Sequence, residues 1–404
     1  MASLVVALFL LNHVVTGQYP PPHVNNSQVG IDAGYTCPSE PWTFASEIPR
    51  IKWISFGTNT SYYPNFGDTF YSSWGPDWDL WFTSDDTAGI QGSCLPNGSN
   101  IVVNKATGPS LADLQPVTVN CLKEEWGLHG SDQGHRDEGA WKTTGLTWLD
   151  SILYLWVERD FNPLATNNSL RQTAKNPCLL KSTNHGVTFE GGPQETCFEK
   201  PMFPGMRFGT PSFIQYGRNG EAGPHGSDQY AYVISNDGSW DNGDHIRLGR
   251  VLRSQIAHLN SSDWEFFQGS PSNVSWTKDY NSSTPILSHQ NQLSSTAAIY
   301  NPYLDEYILT EWYFPNRTGF GVYPQDLWPT VWTWYASRKP WGPYRLVSNT
   351  SWPNAAWYNP AIVNKFWGFD GKSGVAFTSG HAYGNGDNSS YVLSTIPFSI
   401  ETFW

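Results

Sequence analysis

The sequence is poor in charge, in cysteine and in long apolar runs, and each shortage argues against a class of protein. Only 14% of the residues are charged, the net charge is −12, and no Lys/Arg-rich run occurs. This composition argues against nucleic acid or an anionic membrane as a partner. Beyond its first residues the chain has no apolar stretch near the ~18 residues of a membrane-spanning helix.

The five cysteines are too few for a scaffold that depends on disulfides, so the core must hold the fold. None of their spacings matches a zinc motif, and we expect neither a metal nor another cofactor. Cys178 and Cys197 bracket a turn-rich segment and are the first predicted disulfide. Cys94 and Cys121 are the second, which leaves Cys37 without a partner.

The amino terminus has the pattern of a secretory leader. An apolar run covers residues 2–11, and Val15 and Gly17 fit the small residues before a signal-peptidase site, although no Lys or Arg precedes the run. We therefore predict a signal peptide over residues 1–17, a Pro- and Asn-rich extended lead-in over 18–50, and a single domain over 51–404. The mature chain is expected to be soluble, secreted to the extracellular space and monomeric.

Ten Asn-x-Ser/Thr sequons support secretion, because they are the acceptors of N-linked glycans in the secretory pathway. We expect them on surface loops, at Asn25, Asn59, Asn97, Asn167, Asn260, Asn273, Asn281, Asn316, Asn349 and Asn388.

Aromatic residues make up 15% of the chain, and 21 of them are tryptophan. Aromatic faces stack on the apolar faces of sugar rings, so this richness suits a carbohydrate partner. For any one tryptophan, filling a large β core is the more common role.

The chain shows no long amphipathic helix, and its strand-like segments are separated by Gly, Pro, Asn and Asp, which predicts an all-β protein. Five segments share an acidic or Gly turn, an aromatic-aliphatic strand and a polar exit. Because one four-stranded blade needs only ~40 residues, units of about 70 residues predict a five-bladed β-propeller with long loops. A two-sheet β-sandwich is the alternative. The turn aspartates of the five segments are Asp79, Asp150, Asp228, Asp305 and Asp370.

The best candidate for chemistry lies in residues 67–87, which read as two short strands joined by a Gly-Pro-Asp turn. Asp68 precedes the first strand, and Asp85 and Asp86 end the second. Two antiparallel strands return Asp86 to the same end of the sheet as Asp68, and a facing pair of carboxylates is what glycosidic-bond hydrolysis requires. The alternative is that these residues are ordinary turn and capping aspartates.

Polar residues elsewhere offer substrate contacts, since ligands of a propeller lie at the mouth of its channel. Lys142 precedes the second repeat strand and could hold a sugar hydroxyl or carboxylate. Asp244 and Arg247 could face a cleft from one strand, or form an ordinary exposed ion pair. His129 and His135 lie in a Gly-rich polar segment that could move protons or bind metal, or could be a solvated loop.

Several segments together resemble a known family, the proteins that carry the domain of unknown function 4185. They are Gly67-Asp-Thr with Asp79-Leu-Trp-Phe and Asp85-Asp-Thr, Lys142-Thr-Thr-Gly-Leu, Pro211-Ser-Phe-Ile-Gln-Tyr-Gly, Leu248-Gly-Arg-Val, Tyr300-Asn-Pro-Tyr-Leu-Asp-Glu and Pro340-Trp-Gly-Pro. The resemblance spans roughly residues 50–400 and implies a five-bladed propeller related to furanosidase-type glycoside hydrolases.

Some bacterial members of that family are endo-D-arabinofuranosidases of glycoside hydrolase family 183, in which first-blade aspartates are the catalytic pair. The resemblance carries these roles onto Asp68 and Asp86. This chain has Ser-Asp-Asp-Thr where the family often has Phe-Gly-Asp-Thr, so Asp85 is a rival for the second role and otherwise a candidate substrate contact.

The function predicted from these observations is hydrolysis of a polysaccharide or glycan, possibly of a furanoside in view of the family, by a secreted glycoside hydrolase. A non-catalytic, lectin-like glycan-binding propeller is the alternative. A polysaccharide lyase that uses His129 or His135 as its base is a third reading.

Overall fold

The computed structural model describes residues 48–64, 66–128, 139–161, 172–191, 194–224, 229–315, 329–353, 357–380 and 392–403. These residues form antiparallel sheets arranged as the five blades of a β-propeller. The fold class predicted from the repeat is confirmed. The predicted signal peptide, nearly all of the lead-in, and Cys37 lie outside the described residues and stand as predictions.

The first two strands, β1 (Ile51–Phe56) and β2 (Ser61–Pro64), belong to the last blade, where both pair with its third strand. Blade 1 follows with β3 (Ser72–Trp74), β4 (Leu80–Thr87), β5 (Ser99–Thr107) and β6 (Gln115–Asn120). Blade 2 has β7 (Ala140–Leu149), β8 (Ile152–Phe161) and β9 (Thr173–Ser182).

Blade 3 contains β10 (Ser212–Gln215), β11 (Tyr230–Asn236), β12 (Gly243–Leu252), β13 (Glu265–Ser270), β14 (Asn273–Thr277) and β15 (Leu287–Leu293), which pairs back onto β12. Blade 4 contains β16 (Ala298–Asn301), β17 (Glu306–Tyr313), β18 (Thr330–Ser337) and β19 (Arg345–Trp352). Blade 5 contains β20 (Tyr358–Ile362), β21 (Ser373–Ser379) and β22 (Val392–Thr402).

Helices are few and short in the described part of the chain. They are α1 (Lys123–Trp126), α2 (Gln194–Glu199) and α3 (Arg253–Ile256), beside short 3₁₀ turns at Ile90–Gly92, Leu111–Asp113, Ser261–Asp263 and Tyr280–Ser282. None of the described helices has the length and apolar character needed to cross a membrane.

Both predicted disulfides are confirmed. One joins Cys94, after β4, to Cys121, after β6, and so closes the outer part of blade 1. The other joins Cys178 in β9 to Cys197 in α2 and fixes that helix on the outer strand of blade 2. Each bond is local in sequence, which is why proximity along the chain was enough to pair the cysteines.

The ring closes through its two ends, because the first strand joins the last sheet. β1 runs antiparallel to β22, with Ile51 opposite Thr402 and Phe56 opposite Phe398. The innermost strands β3, β7, β10, β16 and β20 contact one another in that order around the channel. A parallel pairing of β10 with β16 also links blades 3 and 4.

Tryptophan fills the space between the blades. Trp332 and Trp334 stack with their rings 11° from parallel, and Phe56 meets both of them edge-on. Among the described residues twelve tryptophans are buried, so core filling accounts for more than half of the 21 in the sequence. The buried tryptophans are Trp74, Trp81, Trp126, Trp141, Trp148, Trp156, Trp264, Trp312, Trp332, Trp334, Trp357 and Trp367.

The five repeated segments all prove to be the second strand of a blade, namely β4, β8, β11, β17 and β21. The strand β8 is buried along nearly its whole length, without the alternation expected of a half-exposed strand. Neighbouring blades cover both of its faces, so both are apolar from Leu153 to Val157, before the charged residues at its end. Exposure on alternate residues appears instead in outer strands such as β6.

The sequon asparagines that the structure describes are all exposed to solvent, which agrees with the prediction that they lie at the surface. Two of them, Asn273 and Asn349, lie on outer strands and not on loops as expected. The six exposed asparagines are Asn59, Asn97, Asn260, Asn273, Asn281 and Asn349.

Candidate active site

The innermost strands begin, and the second strands end, at one end of the channel, which we call the mouth. This follows from the antiparallel pairing of the first two strands in every blade. The polar exits Asp85, Glu158, Asn236 and Glu311 therefore lie around the same end. His381, the exit expected in blade 5, lies outside the described residues.

Asp68 is held beside the end of β4 by its own backbone. The Asp68 N–H donates to the Asp85 carbonyl at 3.0 Å, and the Asp85 N–H donates back at 2.8 Å. Its side chain is 8% exposed and accepts hydrogen bonds from the Tyr358 hydroxyl at 2.7 Å and from the Thr69 hydroxyl at 3.2 Å. Blade 5 therefore supplies a direct partner to the first-blade carboxylate.

Burial and a neighbouring charge make Asp68 a weaker acid. Burial, and next the charge of Asp86, raise the pKa of Asp68 to about 6, although Lys142 and the two hydroxyl partners pull it down. A carboxyl with this pKa can hold a proton in mildly acidic solution and release it near neutrality.

Asp86 faces the opposite way from its neighbour and pairs with a cation from blade 2. Its backbone has φ 52°, a left-handed conformation, and its Oδ1 forms an ion pair with the Lys142 ammonium. Both side chains are near the surface of the site, 17% and 14% exposed. Through this ion pair Lys142 offsets the charge of Asp86.

Lys142 is the common counter-ion of the cluster. Burial lowers its pKa, but Asp86, Asp85 and Asp68 together outweigh burial and raise it, so the ammonium stays charged. Lys142 in turn lowers the pKa of both Asp68 and Asp85. The positive charge of Lys142 is therefore balanced by these aspartates.

Asp85 joins blade 1 to blade 2. It is fully buried, its Oδ2 accepts from the Thr143 N–H at 3.0 Å, and its Oδ1 accepts from the Thr143 hydroxyl at 2.9 Å. Burial raises its pKa well above the ordinary range, against the effect of Lys142. Both oxygens are thus engaged inside the protein, where a sugar cannot reach them.

Blade 2 adds two acids to the cluster, Glu158 and Asp160, neither of which was among the predicted site residues. Glu158 lies opposite Lys142 in the β7–β8 ladder, and Asp160 lies opposite Ala140. Burial raises the pKa of Glu158 well above its usual value, and it raises that of Asp160 to about 7 although Gln172 donates a 2.7 Å hydrogen bond to Asp160. The sequence feature that could have revealed both is the alternation Glu-Arg-Asp at a strand end, since residues two apart share a face.

An aromatic cluster borders the acids on the blade 5 side. The Tyr358 ring lies 5.3 Å from Trp240 and 5.7 Å from Trp312, measured between ring centroids. Trp240 belongs to the connection between β11 and β12 at the mouth.

The remaining predicted contacts lie apart from this cluster. The Asp244 side chain accepts from the Asn291 N–H at 2.7 Å, and Arg247 donates to the Ser283 carbonyl at 2.8 Å, so both are engaged within blade 3 and its connections. Burial lowers the pKa of Arg247 to about 10. Asp244 and Arg247 also do not form the exposed ion pair that was the alternative, since Arg247 is buried and bonded to Ser283. His129, like His135, lies outside the described residues.

The described residues include no group of three or more His, Cys, Asp or Glu placed to hold a metal ion. The carboxylates of the mouth instead share Lys142. The arrangement offers a carboxyl of raised pKa, which can donate a proton, beside a second aspartate in an ion pair.

Comparison with known proteins identifies no family for this chain. No protein-family model matches the sequence, and no curated protein matches it. The resemblance to the domain of unknown function 4185 therefore remains a prediction.

Several solved structures share the overall shape. The catalytic domain of a GH62 α-L-arabinofuranosidase from Coprinopsis cinerea is 11% identical, with 87% of this chain and 98% of that chain covered and a TM-score of 0.45. An α-L-arabinofuranosidase from Podospora anserina, solved with cellotriose, is 10% identical over 88% and 99% of the chains, with a TM-score of 0.45. A thermostable family-43 glycoside hydrolase is 12% identical over 86% and 91%, with a TM-score of 0.43. At these values the likeness decides nothing about the reaction.

Proposed function

We propose that this protein is a secreted glycoside hydrolase that cleaves a polysaccharide or glycan with Asp68 and Asp86 at the mouth of the propeller. One observation carries the proposal: two aspartates within electrostatic reach of each other lie in different environments. Asp68 has its pKa raised to about 6, while Asp86 is ion-paired with Lys142. A carboxyl of raised pKa beside a second, ion-paired aspartate is the arrangement expected of the acid and its partner in glycoside hydrolysis.

The two environments assign the roles. Asp68 is the general acid, which gives its proton to the glycosidic oxygen as the bond from that oxygen to the anomeric carbon breaks. Asp86 is the carboxylate that either attacks the anomeric carbon or takes a proton from the attacking water. In the first case Asp86 forms an ester with the anomeric carbon, and water breaks that ester while giving a proton to the ionised Asp68. In the second case the water hydroxyl bonds directly to the anomeric carbon, after which Asp86 releases its proton to solvent and Asp68 takes one up.

The neighbours of the pair then have supporting roles. Lys142 forms an ion pair with Asp86. This role takes the place of the direct substrate contact that the sequence suggested for Lys142. Tyr358 orients Asp68 through its 2.7 Å hydrogen bond. Asp85, with both oxygens bound to Thr143, fixes blade 1 against blade 2 and is not the second catalytic carboxylate.

The proposal is tested by incubating wild type, Asp68→Asn and Asp86→Asn with plant, fungal and bacterial polysaccharides, furanosides included, and measuring new reducing ends. Asp370→Asn, at an exposed turn in blade 5, is the matched control. We expect wild type and control to release reducing ends and each site variant to lose at least ~100-fold in rate. Equal release by wild type and both site variants would remove Asp68 and Asp86 from the chemistry.

A second function is distinguished in the same experiment. If no protein releases reducing ends but one glycan retards wild type in an affinity gel, the propeller is a non-catalytic glycan-binding protein. If ultraviolet-absorbing unsaturated products form, the reaction is a lyase reaction and the hydrolase proposal is wrong.

A further inference from the structure

Trp240 differs from the tryptophans of the core in its exposure and its position. Its ring lies 5.3 Å from both Trp312 and Tyr358, yet it is only half-buried, whereas Trp312 is fully buried. It lies at the mouth, in the connection from β11 to β12. One side of the indole therefore packs on the protein and part of it remains open to solvent.

The backbone of Trp240 is held from two sides, and its ring packs on Trp312 and Tyr358. Its N–H donates to the Gln172 carbonyl of blade 2 at 3.1 Å, and its carbonyl accepts from the Ser295 N–H beside blade 4 at 2.8 Å. The preceding Ser239 forms a bridge with Thr173 in β9. A ring fixed in this way loses little conformational freedom when a ligand stacks on it, which favours binding.

The proposed acid is only one side chain away from this ring. The ring of Tyr358 packs against Trp240, and its hydroxyl donates a hydrogen bond to Asp68 Oδ2. A sugar ring lying on the open part of Trp240 would therefore be next to the group that protonates its leaving oxygen. Aromatic side chains with one apolar face and a fixed orientation suit this role.

The charges around the mouth restrict which sugars can lie there. Five acids, Asp68, Asp85, Asp86, Glu158 and Asp160, lie within electrostatic reach of Lys142, and Arg159 is a second cation beside Glu158. The charges of these acids already raise one another's pKa, so a sugar carboxylate or sulfate that had to be buried among them is disfavoured.

We propose that Trp240 is the platform on which an uncharged sugar ring stacks beside Asp68, so that the enzyme takes neutral glycans and rejects acidic ones. This inference rests on the proposed function and names the substrate class of the same site. It assigns a binding residue in blade 3 that the sequence-based search, which chose Asp244 and Arg247 there, did not find.

The test uses linear arabinan, galactan and arabinoxylan, each in its native and its carboxymethylated form. Wild type, Trp240→Ala, Trp240→Phe and Trp78→Ala are compared for release of reducing ends and for retardation in affinity gels. Trp78 is a matched control, because it is a 38% exposed tryptophan in the hairpin between β3 and β4, at the other end of the channel. Melting temperatures establish that each variant is folded.

We expect at least one native glycan to be bound and cleaved, and its carboxymethylated form to be cleaved about tenfold more slowly or worse. Trp240→Ala should raise KM about tenfold, equivalent to about 1.4 kcal/mol of binding, with a smaller effect on kcat. Trp240→Phe should recover most of the loss, and Trp78→Ala should match wild type.

The possible failures separate the two proposals. Cleavage that is unchanged in folded Trp240→Ala overturns the platform and leaves the hydrolase intact. Preference for the carboxymethylated glycan overturns the assigned substrate class. If no native glycan is bound or cleaved, this inference is overturned. Cleavage of other polysaccharides in the broader panel would still support the hydrolase.

Discussion

Asp68→Asn should make the protein more stable at neutral pH while abolishing its activity. The pKa of Asp68 is raised from 3.8 to about 6, so ionising this buried carboxyl costs more in the folded than in the unfolded protein. A shift of that size corresponds to about 3 kcal/mol at 1.36 kcal/mol per unit. Asparagine keeps the shape and can still accept from Tyr358, but it carries no charge to bury.

The sign of the pH dependence follows from proton binding. Between pH 3.8 and about 6 the folded state holds a proton on Asp68 that the unfolded state has already released, so wild type loses stability as the pH rises through this window. Below the window both states are protonated and the penalty is absent. Above it the full penalty remains. The advantage of Asp68→Asn should therefore be near zero at pH 3.5 and largest at pH 7.5.

Melting temperatures at pH 3.5, 5, 6 and 7.5 measure this difference. For a chain of this length, 3 kcal/mol corresponds to a gain of about 4 °C at pH 7.5. Asp370→Asn, at an exposed turn, should follow the wild-type curve at every pH. An Asp68→Asn advantage that does not change with pH, or a variant less stable than wild type at pH 7.5, would refute the assignment of a raised pKa to Asp68.

Further predictions concern the partners of the pair and the covalent frame. Tyr358→Phe removes a hydrogen bond that lowers the pKa of Asp68, so the alkaline limb of the pH–rate profile should move to higher pH; an unmoved limb would contradict Asp68 as the acid. Lys142→Met leaves buried carboxylates without their counter-ion and should cost about 3–5 kcal/mol of stability, measured by denaturant unfolding, and most of the activity. Replacing both cysteines of the blade 1 disulfide with serine frees a loop of 27 residues and should cost about 3.5 kcal/mol by the same measurement. Retained stability in either case would show that the interaction contributes little.

The buried acids of the mouth lower the stability of the folded protein, and the proposed catalytic role would explain why the protein keeps them. Asp68, Asp85, Glu158 and Asp160 all have raised pKa values because each is buried near other acids. Such an arrangement destabilises the folded state at neutral pH, yet it keeps protons on groups near the channel. Stability lost at this site would be compensated by the aromatic packing between the blades.

The number of blades was predictable because each blade has the same local requirement. A second strand covered on both faces must be apolar and aromatic, and its hairpin turn favours aspartate, as at Asp150 and Asp305, both with positive φ. The disulfides were predictable for a similar reason, since each closes a short loop. The pairing of Asp68 with the end of β4 followed from one hairpin.

Contacts between blades were not predictable, because no local pattern encodes them. The hydrogen bond from Tyr358 to Asp68 spans 290 residues and exists only because pairing of β1 with β22 closes the ring. The direction in which Asp86 points depends on its left-handed backbone, which brings it to Lys142 while Asp85 turns to Thr143.

The sequence by itself determined the all-β class, the five-fold repeat, the two disulfides and the position of Asp68 beside the end of β4, because each depends on residues close together along the chain. Only the tertiary structure decided which aspartate meets Lys142, that Glu158 and Asp160 join the acids, and that Trp240 stands beside them. These contacts depend on the way in which the packed blades face one another around the channel. A single strand, whose pattern records only which of its faces are buried, does not contain that information.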